Sequence, residues 1–163
     1  MKFRIAALAL ACALAASCGA SDAWGTSGGF ELVDMPESRA LVVIKEALLD
    51  HGYSVETNAW TVDVGWASPL LVDLRASGTS FGIEWVSAED QSWYGSDVPP
   101  PAPHGQLRIV SGRDFSDHAQ VLLLHASSYQ YRARDGREGQ VELEFRIRQD
   151  VRDFVSFARG RGR

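Results

Sequence analysis

Few side chains in this sequence combine the type and the spacing that chemistry needs. Four histidines stand at positions 51, 104, 118 and 125. His118 and His125 flank an apolar run, seven residues apart. On one continuous strand an odd separation places them on opposite faces, so they cannot share a metal. No His-Glu-x-x-His type spacing is present. Ser127 and Ser128 follow the same apolar run, but no nucleophile elbow is read around them. The Gly78-Thr-Ser-Phe-Gly82 stretch is read as missing such an elbow by one residue, its serine not correctly flanked. Gly25-Thr-Ser-Gly-Gly29 lacks the lysine of a phosphate loop and precedes no strand–helix unit. The carboxylates are more suggestive. Glu46 falls on the first helix, with Asp73 and Glu84 on two successive strands. Among the aromatics, Trp93 and Tyr94 stand beside a proline-rich loop, where they either pack against core and loop or form an exposed platform for a sugar, peptide or protein. Trp60, Trp66 and Trp85 lie on apolar strand faces and are assigned to the core.

The order helix, Asp73, then Glu84-Trp85-Val86 resembles the restriction-endonuclease-like core over roughly residues 37–125. In that family the carboxylates hold a divalent metal that activates water, and a lysine two residues after the glutamate orients the nucleophile. The resemblance implies Asp73 and Glu84 as metal ligands, with Glu46 as a third. Position 86 is valine, so the lysine of the catalytic pattern is missing. The alternative function is therefore a metal-dependent hydrolase or a degenerate nuclease-like domain using Asp73 and Glu84. The leading assignment has no catalytic residues, no metal and no cofactor. It leaves the two acids as solvent-facing groups of a hairpin.

The N-terminus carries the clearest address. Lys2 and Arg4 precede twelve uninterrupted apolar residues, 5–16. That length suits the core of a signal peptide and falls short of a bilayer span. Leu14-Ala-Ala-Ser-Cys18 resembles the lipobox of bacterial lipoproteins, although Ala15 stands where the family prefers leucine. The resemblance implies cleavage before Cys18 and acylation there, palmitate being among the implied chains, with anchorage at the bacterial cell envelope. Gly19 rather than aspartate follows the cysteine, which by the enteric rule is similar to an outer-membrane address. Ordinary cleavage with release as a periplasmic or secreted protein is the rival. The only other cysteine, Cys12, lies within the leader, so the mature chain has no intramolecular disulfide and no thiol site.

These assignments leave 1–17 as signal peptide, 18–33 as lipidated cysteine and flexible tether, and 34–163 as one domain of ordinary globular composition. From Cys18 onward the chain has 14 basic and 21 acidic residues. Such an acidic balance argues against nucleic acid as a partner. The charge is uneven: residues 18–104 carry 3 basic and 13 acidic groups, residues 105–163 carry 11 and 8. The unevenness marks two surfaces, or two halves that face each other.

The elements follow from periodicity. Asp34, Pro36 and Glu37 predict a helix start, Leu41, Ile44 and Leu48 its buried face, and Gly52 its stop. Residues 53–86 alternate as strands, broken by Pro69 and by a turn at 76–80. Ser87 and Asp90 predict a capped short helix reaching Tyr94, before a loop around Pro99-Pro-Pro-Ala-Pro103. A short strand at 107–110, the run Val121–Leu124, and Tyr129 with Tyr131 continue the sheet. Val141, Leu143, Phe145 and Ile147 alternate with charged residues and predict a half-wet strand; Val151, Phe154, Val155 and Ala158 predict a C-terminal helix. The fold class expected is α+β: one domain with a mostly antiparallel or mixed sheet of about 6–8 strands and N-terminal, middle and C-terminal helices. The function expected is a non-catalytic binding or accessory domain, a lipoprotein whose partners are the membrane, through its lipid anchor, and an envelope protein or glycan.

Overall fold

The structure, a computed structural model, describes residues 31–58, 60–113 and 118–161. The signal-peptide and lipidation assignments and Cys18 lie outside the described residues. The fold is α+β. Its centre is a five-stranded mixed sheet in the order β2 (Val55–Glu56), β5 (Leu74–Ala76), β6 (Phe81–Val86), β8 (Gln120–His125), β7 (Arg108–Ser111). The β6–β8 pair is parallel and the others are antiparallel. Two small ribbons flank it: β3 (Trp60–Val62) with β4 (Leu70–Val72), and β1 (Leu32–Asp34) with β9 (Gln130–Arg132).

Two long helices cover one face. The helix α1 (Glu37–Asp50) buries Ala40, Val43, Ile44, Ala47 and Leu48, residues that recur at three and four along one stripe. It ends where Gly52 adopts φ +84°, which lets the Tyr53 N–H reach the Leu48 carbonyl at 3.1 Å. Its start differs from the expected cap. Asp34 belongs to β1, where its carboxylate accepts a bond from Gln130, and Pro36 precedes the first helical residue without any side-chain cap.

The second long helix, α3 (Gly136–Arg161), overturns the strand expected over residues 141–147. Two residues along a helix turn about 200°, so a run of alternate apolar residues also places i, i+4 pairs on opposite helix sides. Leu143 and Ile147 begin a stripe that Val151, Phe154, Val155 and Ala158 continue into the core. Val141 and Phe145 fall on the outer side, 55% and 64% exposed. The cue that period two conceals is the stripe at 143, 147, 151, 154 and 158.

Residues alternate cleanly across the sheet. Leu74, Ile83, Trp85, Leu122 and Leu124 face α1 and α3. Val86, Val121 and Leu123 face a smaller core closed by Leu70 and Val72 of the β3–β4 ribbon and by Trp60, Trp66 and Tyr94. Hence β8 is buried on both faces, as its unbroken apolar run requires. Trp85 is core; Trp60 and Trp66 are half-buried lids over the smaller core. The strand expected over 60–66 ends at Val62, and the strand expected over 70–74 breaks at Asp73, where the chain leaves the ribbon β3–β4 and enters the main sheet. The two charge-unequal halves meet across the helices: Arg39 holds Glu144, while Arg148 reaches Glu46 and Asp50.

Candidate functional site

The break at Asp73 makes the most unusual feature of the molecule. Beyond the Leu74–Ile83 pair the β5–β6 ladder stops, leaving backbone N–H groups without strand partners. Two carboxylates replace the missing carbonyls. The Asp73 N–H donates to Glu84 Oε2 at 3.0 Å, and the Trp85 N–H donates to Asp73 Oδ2 at 2.9 Å. Each carboxyl also bears electrostatically on the other's proton. Both are raised, Asp73 chiefly by burial. Burial, reinforced by the charges of Asp73 and Asp90, pushes Glu84 up to about 10. At neutral pH Glu84 therefore keeps its proton beside Asp73.

The expected solvent-facing hairpin acids are thus corrected. Glu84 is 3% exposed, because even-numbered β6 residues face the smaller core and not water. Asp73 and Glu84 lie side by side on the two strands. The third acid of the expected set does not join them. Glu46 lies on the flank of α1, where Arg148 on α3 holds it, whereas Glu84 points to the opposite face of the sheet. Among the described residues no group of three or more His, Cys, Asp or Glu side chains is arranged to hold a metal ion. The set Glu46, Asp73 and Glu84 is therefore not assembled. Val86, at the position of the missing lysine, is buried in the smaller core.

Above this pair lies α2 (Ala88–Tyr94). Its start is fixed by a capping box: the Asp90 N–H donates to Ser87 Oγ, and the Ser87 N–H donates to the Asp90 carboxylate at 2.8 Å. One turn on, Gln91 Nε2 lies 3.4 Å from Nδ1 of His125. His125 pairs with Val86 across β6–β8 and is 3% exposed. Its Nε2 has no partner. Burial, and then Arg108, lower its affinity for a proton, so the ring is neutral at pH 7.

The aromatic pair divides. Tyr94 accepts the Leu71 N–H through its hydroxyl at 3.0 Å and meets the edge of Trp66 at 5.3 Å, tying α2 to the β3–β4 ribbon. Trp93 points outward and is 76% exposed. The expected two-residue platform is a single exposed indole held by a structural tyrosine.

The serine assignments also resolve. Gly78-Thr-Ser-Phe-Gly82 does contain glycine, serine and glycine at alternate positions, so the expected one-residue misfit is wrong. Ser80 leads into strand β6, not from strand into helix, so the geometry of a nucleophile elbow is absent. The Ser80 carbonyl accepts the Gln120 N–H at 2.8 Å and aligns β8 with β6.

One further assembly escapes the sequence reading, because its members fall in the segment expected to be strand and linker. After β6 the chain crosses to α2 on the smaller-core face; after β8 it crosses to α3 on the other. Connections that diverge from the carboxyl ends of adjacent parallel strands leave a crevice there. At that end lies a cleft of about 100 Å3 between the end of the proline loop (Ala102–Gln106), Ser128–Tyr129 and α3. Tyr129 is buried and donates its hydroxyl to Asp150 Oδ2 at 2.6 Å. Arg146 lies over the Tyr129 ring at 5.4 Å and donates to the Ser128 carbonyl at 3.2 Å. The i, i+4 spacing of Arg146 and Asp150 is the cue a helical reading would have supplied.

Comparison of the chain with known protein families, with curated proteins and with solved structures finds no match. Function must therefore be argued from the residues themselves.

Proposed function

We propose that this chain is a non-catalytic binding domain of the bacterial cell envelope, held to a membrane through acyl chains on Cys18 and presenting Trp93 to an envelope protein or glycan. The exposure of Trp93 carries the binding half of this reading. A large apolar side chain at the end of a helix that buries none of its own residues contributes little to the core, and exposed tryptophans are enriched at contact sites. The sequence at 1–18 supports the anchorage. The acid pair favours a structural role over metal chemistry, since each carboxyl caps a backbone N–H that the strand ladder leaves open and, among the described residues, no third ligand joins them in a metal-holding group.

Two measurements test the two halves. Intact mass of the protein extracted from host membranes should show a triacyl-sized increase on a chain beginning at Cys18, lost in Cys18→Ala; an unmodified soluble chain removes the anchor. A photo-crosslinking residue placed at Trp93 should capture one discrete envelope partner, and the same probe at exposed Leu71 should not. Equal labelling from both positions removes Trp93 as the contact.

A further inference from the structure

The cleft at the carboxyl end of β8 presents two opposite charges that do not neutralise each other. Arg146 and Asp150 stand one helical turn apart, with Cβ atoms roughly 6 Å apart, close enough for an ion pair. No ion pair joins them. Tyr129 stands between, taking the guanidinium on its ring face and the carboxylate on its hydroxyl. Arginine ahead of aspartate is also the weaker order of such a pair along a helix. Arg146 commits one N–H to the Ser128 carbonyl and keeps others free. Asp150 commits Oδ2 to Tyr129 and keeps Oδ1 free. His104, Gln106 and Gln149 supply further polar groups around the opening. The space holds several ordered waters or one ligand of that size.

We infer that this cleft is a binding site for a small zwitterion of the α-amino-acid type, its carboxylate on Arg146 and its ammonium on Asp150. A charge-separated ligand matches both free groups at once and leaves neither of these half-buried charges unpaired. A neutral polyol, an anion alone or a cation alone satisfies only part of the site. The volume limits the ligand to a short side chain, with glycine and alanine the natural probes. The site is separate from Trp93 and stands whether or not the envelope reading holds.

The test is a titration of the full chain, followed by calorimetry and by backbone amide NMR, with glycine, L-alanine, acetate, methylammonium and glycerol. Saturable binding of glycine or alanine is expected, with shifts gathered at Ser128, Tyr129 and residues 146–150. Acetate, methylammonium and glycerol should each bind at least about tenfold more weakly. Arg146→Gln should weaken amino-acid binding by about the same factor. Asp150→Asn should do likewise while still accepting the Tyr129 hydroxyl, so its folding is retained and loss of binding is not loss of structure. Absence of saturable binding by both amino acids overturns the proposal. So does glycerol or acetate binding as tightly as alanine, or unchanged binding by both variants.

Discussion

The proton that Glu84 keeps beside Asp73 makes the stability of this fold depend on pH in a definite direction. Glu84 is raised to about 10 in the folded chain, against an ordinary glutamate value when unfolded. Between those values the folded state holds a proton that the unfolded state has released. The stabilisation is complete below the unfolded value and is lost as pH rises through the window toward 10, by at most about 1.4 kcal/mol per pH unit. Glu84→Gln preserves an acceptor for the Asp73 N–H and a donor for the Asp73 carboxylate without a titrating proton. Urea unfolding of Glu84→Gln between pH 5 and 9 should show a much flatter pH dependence than the parent. An equally steep profile in both would mean that the proton is not on this pair. His125 offers a second test. Its unpartnered Nε2 costs about 1–3 kcal/mol, so an apolar ring there should remove that cost. His125→Phe is expected to keep or raise the midpoint of thermal unfolding, whereas Gln91→Ala alone should not raise it.

At the scale of elements, the clearest lesson comes from the segments where two periodicities overlap. The capped α2, the buried β8 and the stripe of α1 could be read directly, because each has one dominant pattern and a chemical stop or start. Residues 141–147 could not, because two i, i+4 pairs on opposite helix sides imitate alternation over four apolar positions. Substitution separates the two structures. Leu143→Ala and Ile147→Ala should each cost about 2–5 kcal/mol, while Val141→Glu and Phe145→Glu should cost less than about 0.5 kcal/mol. A strand with one wet face would make all four costly. The acid pair was half legible: its residue types and order are in the sequence, but its burial depends on the ribbon that folds over it. That ribbon needs Gly82. A Cβ there would come within 2.6 Å of the Trp60 ring and 2.7 Å of a Val72 methyl. Gly82→Ala should therefore destabilise by about 1–3 kcal/mol by forcing the ribbon off the sheet. Circular dichroism of Trp60 and its neighbours would record the displacement.

For the whole molecule, the sheet separates two unequal halves of the interior. The larger core, beneath α1 and α3, contains Trp85, Phe154 and most of the fully buried side chains. The smaller core, beneath the ribbon and α2, contains the acid pair and lies against His125. Polar groups buried on one side only leave that side as the weaker of the two. Hydrogen exchange at β3, β4 and α2 should accordingly be faster than at β6, β8 and the core-facing turns of α3. Equal protection in both would mean that the two cores open as one. The sequence cannot reveal this imbalance, since it depends on which face of β6 each covering element takes.

The pairing of β1 with β9 also has a mechanical side. Residue 31 enters the fold already bonded, its carbonyl accepting the Ala133 N–H at 2.8 Å, and Met35 donates to the Tyr129 carbonyl at 3.1 Å. Any tension applied along the preceding chain thus falls first on a three-residue ribbon and only afterwards on α1. A drag on the N-terminal side would strip that ribbon as a small early event, with the helices and the sheet yielding later. The strand so released leads directly into Met35, whose N–H holds the Tyr129 carbonyl, so a pull on the chain would reach the cleft and the edge of the larger core together.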